Sequence, residues 1–263
     1  MAPSAVELHG VARRFVTASG GVLSALEDFD LAIGPGEFVA IVGPTGCGKS
    51  TTLGLVAGLA QPQAGEVRLF GAPVAGVDRR VGFVFQQDAV FPWRNVLDNV
   101  AAGPRFRGAP RGKTIEEARD WIARVGLKGF ETHLPHQLSG GMRKRVALAQ
   151  TFINKPDVLL MDEPFSALDV QTREMMQEEL LQLWSQNRSA VLFVTHDLDE
   201  AILLADRVAV LTTRPARVKS VHTIDLPRPR AIAALRYDAR FIDTARLIAE
   251  DLREEVLRAR AAH

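Results

Sequence analysis

The chain reads as an α/β fold, with a mostly parallel sheet, a β layer at the N-terminus and a helical insert. Three observations predict it. Short apolar runs of strand length, Phe38–Val42, Val158–Met161 and Ala190–Val194, alternate with helical segments, as in a parallel sheet joined by crossover helices. A glycine-rich turn, Gly43 to Ser50, separates the first run from a helix. From about Asn95 to Gln150 the apolar residues recur at helical spacing instead.

In chain order, Val6–Val16 and Gly21–Ile33 alternate loosely between apolar and polar residues, which predicts the strands of an antiparallel N-terminal layer. Gly34-Pro35-Gly36-Glu37 is a turn feeding the strand Phe38–Val42, and Thr52 to Gly58 begins a helix. Gly65–Phe70 and Val81–Phe85 are further strands, with Gly71-Ala72-Pro73 punctuating the segment between them. In the helical insert Ala118, Ile122 and Val125 share a face with Trp121 beside them, and the Gly/Pro/Arg-rich stretch Gly103–Gly112 is expected to be a loop. Thr172–Trp184 is a helix between two buried strands, and Val208–Leu211 is of strand length. Pro227 and Pro229 break the chain, after which Phe241, Ala245, Ile248, Leu252 and Val256 mark an amphipathic helix through Ala261. The expected organisation is one domain over residues 1–230, with a helical subdomain at about 95–150 inserted, and a C-terminal helical extension over 231–263. No internal repeat is visible.

The bulk numbers narrow the function classes. A hydrophobic fraction of 47% and a charged fraction of 24% suit a soluble globular chain. A formal net charge of +1 gives no field for nucleic acid, and none is expected as a partner. The single cysteine, Cys47, leaves no internal disulfide. No run approaches the ~18 apolar residues of a membrane span, and Met1–Leu8 lacks the design of a secretory signal. A cytoplasmic chain follows, which reaches a membrane only through a partner.

Gly43-Pro44-Thr45-Gly46-Cys47-Gly48-Lys49-Ser50-Thr51 carries the pattern G-x-x-x-x-G-K-[ST], between a strand and a helix as that motif requires. Its glycines let successive N–H groups point at phosphate oxygens, and the helix N-terminus adds positive dipole. Lys49 is expected to reach the β- and γ-phosphates and Ser50 to ligate Mg²⁺. This predicts a P-loop NTPase core binding a nucleoside triphosphate. The strand Val158–Met161 runs into Asp162 and Glu163, whose carboxylates face the same crevice. Asp162 is expected to hold Mg²⁺ and Glu163 to polarise the attacking water as general base.

Leu138-Ser139-Gly140-Gly141-Met142 opens a helix over Arg143–Ala149 and makes a second anion-binding turn. With it the chain resembles, over nearly its whole length, the nucleotide-binding subunits of ATP-binding cassette (ABC) transporters, whose signature reads LSGGQ. The resemblance implies a head-to-tail pair in which Ser139, Gly140 and Gly141 of one copy bind the γ-phosphate held by the other's phosphate loop. It implies that His196, in Thr195-His196-Asp197, contacts the γ-phosphate and orients the water. It implies that Gln86 touches Mg²⁺ or the water and reports nucleotide state, with Gln87 the neighbouring alternative. Ser166-Ala167-Leu168-Asp169 matches the segment that crosses the dimer interface, and Phe15 aligns with the aromatic that stacks on adenine. Met142 replaces the usual Gln, as in the nitrate, taurine and aliphatic-sulfonate importers, and Gln150 stands where the family often has Arg.

The implied function is the ATPase subunit of an importer for a small solute such as nitrate, taurine or a sulfonate, at the cytoplasmic face of the bacterial inner membrane. Permease subunits would dock near Phe91, Pro92 and Trp93, in the segment Phe91–Val96 that also resembles this importer group. Ordinary core packing of Phe91 and Trp93 is the alternative. A solute-binding protein would be an indirect partner. The intact motifs favour a homodimer. ATPase subunits for export or lipid extraction remain the alternative. A soluble ABC protein acting on ribosomes or DNA is disfavoured by the single cassette and the short Gln86–Leu138 segment. The residues after Pro227 leave room for one or two helices, not a regulatory barrel.

Overall fold

The computed structural model describes residues 3–17, 20–87 and 89–261, with the side chains of residues 260 and 261 outside the description. The extreme ends of the N-terminal stretch and of the 231–263 extension therefore lie outside the described residues. The strands are β1 (Val6–Val16), β2 (Val22–Ile33), β3 (Phe38–Val42), β4 (Ala64–Leu69), β5 (Ala72–Pro73), β6 (Val81–Val84), β7 (Val158–Asp162), β8 (Ala190–Val194), β9 (Arg207–Leu211) and β10 (Val218–Thr223). The helices are α1 (Lys49–Val56), α2 (Val96–Val100), α3 (Ala102–Phe106), α4 (Arg111–Arg124), α5 (Gly140–Phe152), α6 (Val170–Asn187), α7 (Leu198–Leu204), α8 (Ile232–Leu235) and α9 (Ala239–Ala261). They form two compact units. The first comprises Met1–Val81, Asp157–Glu163 and Arg188–His263, and the second Gly82–Pro156 and Pro164–Asn187.

The first unit holds two sheets. The smaller, in the order β2-β1-β4-β5, is antiparallel throughout, as expected of the N-terminal layer. In the larger, the strands run β10-β9-β3-β8-β7, with β9, β3, β8 and β7 parallel and β10 antiparallel at the edge. Every residue of β3 and β8 is buried. Strands covered on both faces need apolar residues at every position, so they read as runs rather than alternations. β10 escaped the sequence reading for the opposite reason. It is half-exposed, carries Lys219, Ser220 and His222, and shows no apolar run.

The short α7 begins where Asp197 accepts a hydrogen bond from the Glu200 N–H (3.2 Å). It ends in the carbonyls of Ile202, Leu203 and Ala205, all of which accept from the buried Arg230 guanidinium at 2.7–3.1 Å. A cation there satisfies orphan carbonyls and suits the negative end of the helix. Burial nonetheless brings the Arg230 pKa down to about 10. α9 is the amphipathic helix expected after Phe241, begins two residues earlier, and packs on α7, β9 and β10.

The second unit is helical apart from the last residues of β6, and Trp121 stacking on Phe152 (5.9 Å between centroids) sits in its core. The stretch Gly103–Gly112 is not the loop its composition predicts. Residues 103–106 belong to α3 and 111–112 to α4, leaving only 107–110 between them. Pro104 lies in the first turn of α3, where its missing N–H has no intrahelical acceptor to lose. Buried Asn99 ties the segment before α2 together. Its amide donates to the carbonyls of Phe91, Arg94 and Asn95, and its Oδ1 accepts from the Phe91 N–H at 2.7 Å.

Candidate nucleotide site

The register of the larger sheet brings together the predicted residues of the first unit. Ile41 pairs with Val194, and Val194 with Asp162, so β3, β8 and β7 end together. One step past these ends stand the phosphate loop, Thr195-His196 and Glu163. This is the carboxyl edge where ligands bind in open parallel sheets.

The phosphate loop turns through Gly46 (φ +74°) and Gly48 (φ +132°) into α1, which starts at Lys49 rather than at Thr52. A Cβ on Gly48 would lie 2.9 Å from Leu26 Cδ2 and 3.0 Å from the Ala25 carbonyl, so only glycine fits. No side chain caps α1 and its first turn carries no acid, which leaves its N–H groups to an anion. Buried Lys49 folds over the loop, donating from Nζ to the carbonyls of Gly43 (2.8 Å) and Pro44 (3.0 Å). Pro44 and Cys47 are buried, whereas Thr45, Gly46 and Ser50 are exposed. Burial pushes the Cys47 thiol up, so it is a packed side chain rather than a thiolate.

Asp162 stands beside the Ser50 hydroxyl. Its carboxyl is raised above the ordinary range, first by burial and further by the neighbouring Glu163, while Ser50 and Lys49 oppose the shift. Glu163 is in the left-handed region (φ +42°), a conformation that costs a non-glycine residue about 1–3 kcal/mol. Its N–H donates to the Val194 carbonyl (2.8 Å), which holds it there. The turn places Oε2 3.2 Å from His196 Nδ1. The His196 ring is largely exposed, with Glu163 mostly buried behind it. The backbone under the histidine is braced, since Thr195 Oγ1 donates to Glu200 (2.7 Å) and accepts from the Asp197 N–H (3.0 Å).

The second unit carries the other predicted residues. Ser139 caps α5, accepting from the Met142 N–H (3.2 Å), and Asp169 caps α6, accepting from the Thr172 N–H (3.0 Å). That backbone bond is the first cause holding the Asp169 carboxyl below its ordinary range. Gly141 lies where a Cβ would meet Thr172 at 2.8 Å, which brings the starts of α5 and α6 together. Gln86 and Gln87 are exposed and, with Gly140, Lys144 and Ser166, line a cleft of about 450 Å³. Phe15 is on β1, in the smaller sheet, half-exposed and with the Arg13 guanidinium 4.9 Å above its ring.

The ABC transporter family matches residues 26–166. An uncharacterized ABC transporter ATP-binding protein, MJ0412, of Methanocaldococcus jannaschii is 46% identical over 92% of this chain and 89% of its own. The chain belongs to the ABC transporter family. The taurine import ATP-binding protein TauB of Burkholderia pseudomallei (strain 1710b) is 44% identical over 89% of this chain and 92% of its own. The aliphatic sulfonates import ATP-binding protein SsuB 1 of Xanthomonas axonopodis pv. citri is 45% identical over 88% of this chain and 90% of its own. Among solved structures, the dimeric post-hydrolysis state of the ATP-binding cassette MJ0796, bound to ADP and Pi, matches with a TM-score of 0.74 and 32% identity. The match spans 84% of this chain and all of that one. This ABC cassette is an ATPase.

Two features of the cassette were not read from the sequence. Lys144, buried on α5, donates from Nζ to the carbonyls of Gln86 (2.8 Å) and Phe85 (3.2 Å). Nothing in the spacing links residues 86 and 144. The brace of Thr195, Asp197 and Glu200 was visible in principle, because an Asp followed three residues later by Glu is a helix-start signature.

Proposed function

We propose that this ABC cassette binds MgATP at the phosphate loop, hydrolyses it with Glu163 as general base, and as a head-to-tail pair powers the import of a small sulfonate or oxyanion. The observation that carries the catalytic reading is the Glu163–His196 contact at the sheet edge beside the phosphate loop. The Glu163 carboxylate takes a proton from water as its oxygen attacks the γ-phosphorus. The bond from γ-phosphorus to the bridging oxygen breaks, leaving ADP and phosphate. His196, exposed at the mouth, orients that water and the γ-phosphate. Gly43–Thr51 cradle the phosphates, with Lys49 supplying the positive charge.

The donor set suits Mg²⁺ shared with the nucleotide. Ser50 and Asp162 offer hard oxygens. Among the described residues no group of three or more His, Cys, Asp or Glu could hold a metal without the phosphates. Ser50 and Asp162 would hold the ion, with Gln86 as a third candidate, and the ion would neutralise charge on the β- and γ-oxygens.

In the pair, Ser139, Gly140 and Gly141 of one copy would close on the γ-phosphate at the other copy's loop. Asp169 would cross the interface, and Phe15 would stack on adenine. The dimeric ADP- and Pi-bound relative supports this arrangement. We assign residues 1–230 to the ATPase domain, with the helical insert at about 95–150, and 231–263 to a C-terminal extension.

Names of the taurine and sulfonate relatives support the substrate class. Among the described residues no helix is long and apolar enough to cross a membrane. We place the chain at the cytoplasmic face of the inner membrane, held there by permease subunits. Trp93 and Phe106 are 73% and 67% exposed beside the Asn99-braced Phe91, which supports a docking role for this aromatic surface over core packing of Trp93.

The test is a pull-down from native membranes with Glu163→Gln and ATP, read by mass spectrometry. A polytopic permease accompanied by a taurine- or sulfonate-binding protein supports importer and substrate together. An export or lipid-extraction permease refutes the importer, and ribosomes or DNA-bound proteins refute transport.

A further inference from the structure

The first unit carries a cation beside the phosphate loop that the catalytic reading does not use. Arg214 lies in the turn between β9 and β10. Its Nη2 is 3.1 Å from where a Cβ on Gly46 would stand, at the tip of the phosphate loop. The side chain is exposed, and among the described residues its guanidinium has no hydrogen-bond or ion-pair partner. Its charge is also felt at Cys47, the next residue of the loop.

The turn that presents Arg214 is tied on three sides. Thr212 closes it from within, donating from Oγ1 to the Pro215 carbonyl (3.1 Å) and accepting from the Arg217 N–H (3.0 Å). Ala216 joins it to β2 by donating to the Ala25 carbonyl (2.9 Å), and Ala25 is also the residue against which Gly48 packs. The third tie comes from the C-terminal helix. Glu255 on α9 is 1% exposed, and its Oε2 accepts from the Thr213 N–H at 3.0 Å, one residue before Arg214. Its other oxygen meets Arg258 at 2.8 Å and Lys219 at 3.7 Å, so the buried carboxylate is compensated.

We propose that Arg214 supplies an additional positive charge to the nucleotide phosphates, and that Glu255 is the positioning residue through which α9 sets the turn carrying it. The phosphate loop offers N–H groups and one lysine to a polyanion. An unpaired guanidinium against the same loop raises the local positive potential, and does so more for three phosphates than for two. The C-terminal helix thereby acquires a role in nucleotide affinity without touching the nucleotide. The inference rests on ATP binding at Gly43–Thr51.

The test is the affinity of the full chain for ATP and for ADP, by isothermal titration at low and high salt, with a thermal melt beside each. Arg214→Gln and Arg214→Lys are surface changes that leave the fold intact. The Gln variant should lose roughly three- to fivefold in ATP affinity at low salt, the scale of one exposed charge interaction. It should lose less for ADP, the difference should fade in high salt, and the Lys variant should restore most of it. Glu255→Gln keeps an acceptor for Thr213 and should bind as the native chain does. Glu255→Met removes the acceptor and should fall to the Arg214→Gln level, with no further loss in the double variant. ATP affinity and salt dependence unchanged in Arg214→Gln would overturn the proposal, even with melting altered. So would independent, additive losses in the Glu255→Met double variant. If Glu255→Met does not fold, the two Arg214 variants still decide the charge. A native chain that binds no ATP at all would instead sink the nucleotide reading on which the inference rests.

Discussion

Glu163 Oε2 and His196 Nδ1 are 3.2 Å apart because two adjacent parallel strands, paired at Asp162 and Val194, end in step. The imidazole in this contact is largely exposed, and the carboxylate behind it is mostly buried. Each side chain also depends on a backbone arrangement made elsewhere: the left-handed turn at Glu163 and the Thr195–Glu200 brace beneath His196.

His196→Ala should therefore lower turnover with little change in ATP affinity, by about 10²–10⁴-fold if water and phosphate orientation depend on it. Thr195→Val, which keeps the shape but deletes the hydroxyl shared by Glu200 and Asp197, should lower turnover by a smaller factor in the same direction. Steady-state ATPase rates set beside equilibrium nucleotide binding separate the two terms. A Thr195→Val enzyme as fast as the native one would show that the brace does not position His196.

Asp162 should trade stability against function. Its folded pKa is raised, so its contribution to stability is full below the unfolded value and lost as pH rises through the folded one. Burial first, and then the neighbouring Glu163, disfavour its charged form. Asp162→Asn keeps the shape without the charge and should melt at or above the native temperature at pH 7, while Mg²⁺-dependent hydrolysis collapses. Thermal melts at pH 7 and Mg²⁺ titrations of the rate check both halves.

Lys144→Met should slow hydrolysis through Gln86. The ammonium holds the carbonyls of Gln86 and Phe85 from a buried position, and a hydrogen bond to a charged group contributes about 1.5–3 kcal/mol. The prediction is a lower kcat with ATP affinity at Gly43–Thr51 preserved. An unchanged kcat in a folded Lys144→Met chain would assign the lysine to packing alone.

Acid should loosen α9 from β10. Asp251 is held below its ordinary range first by the Ser220 hydroxyl (2.6 Å) and then by His222 (2.9 Å). A depressed carboxylate stabilises above its unfolded pKa, and that contribution disappears as pH falls through the folded one. Asp251→Asn should be less stable at pH 7 and show a shallower acid limb below about pH 4. Its partial exposure keeps the effect small. Melting temperature against pH for the two chains is the check.

The parallel strands and the phosphate loop were legible because burial on both faces and a fixed turn geometry each impose a local pattern, as in Phe38–Val42 and Gly43–Ser50. Asp162 and Glu163 were legible as the end of an apolar run. Lys144 over Gln86, and Glu255 beneath the Arg214 turn, were not. Their meaning lies in contacts between residues 58 and 42 positions apart, which tertiary packing makes and no spacing announces. Gly103–Gly112 failed for a local reason: glycine and proline were counted as breakers at helix-start positions where proline is tolerated.

The central claim is that two chains complete one another's sites and that Glu163 drives hydrolysis. Its most direct test is the ATPase rate per chain across a dilution series, with Glu163→Gln sized in ATP alongside. The rate per chain should rise with concentration, and the Glu163→Gln chain should accumulate as an ATP-bound dimer with turnover reduced by at least about 10²-fold. A rate per chain that stays constant down to a strictly monomeric sample, or a Glu163→Gln chain that turns over normally, would contradict it.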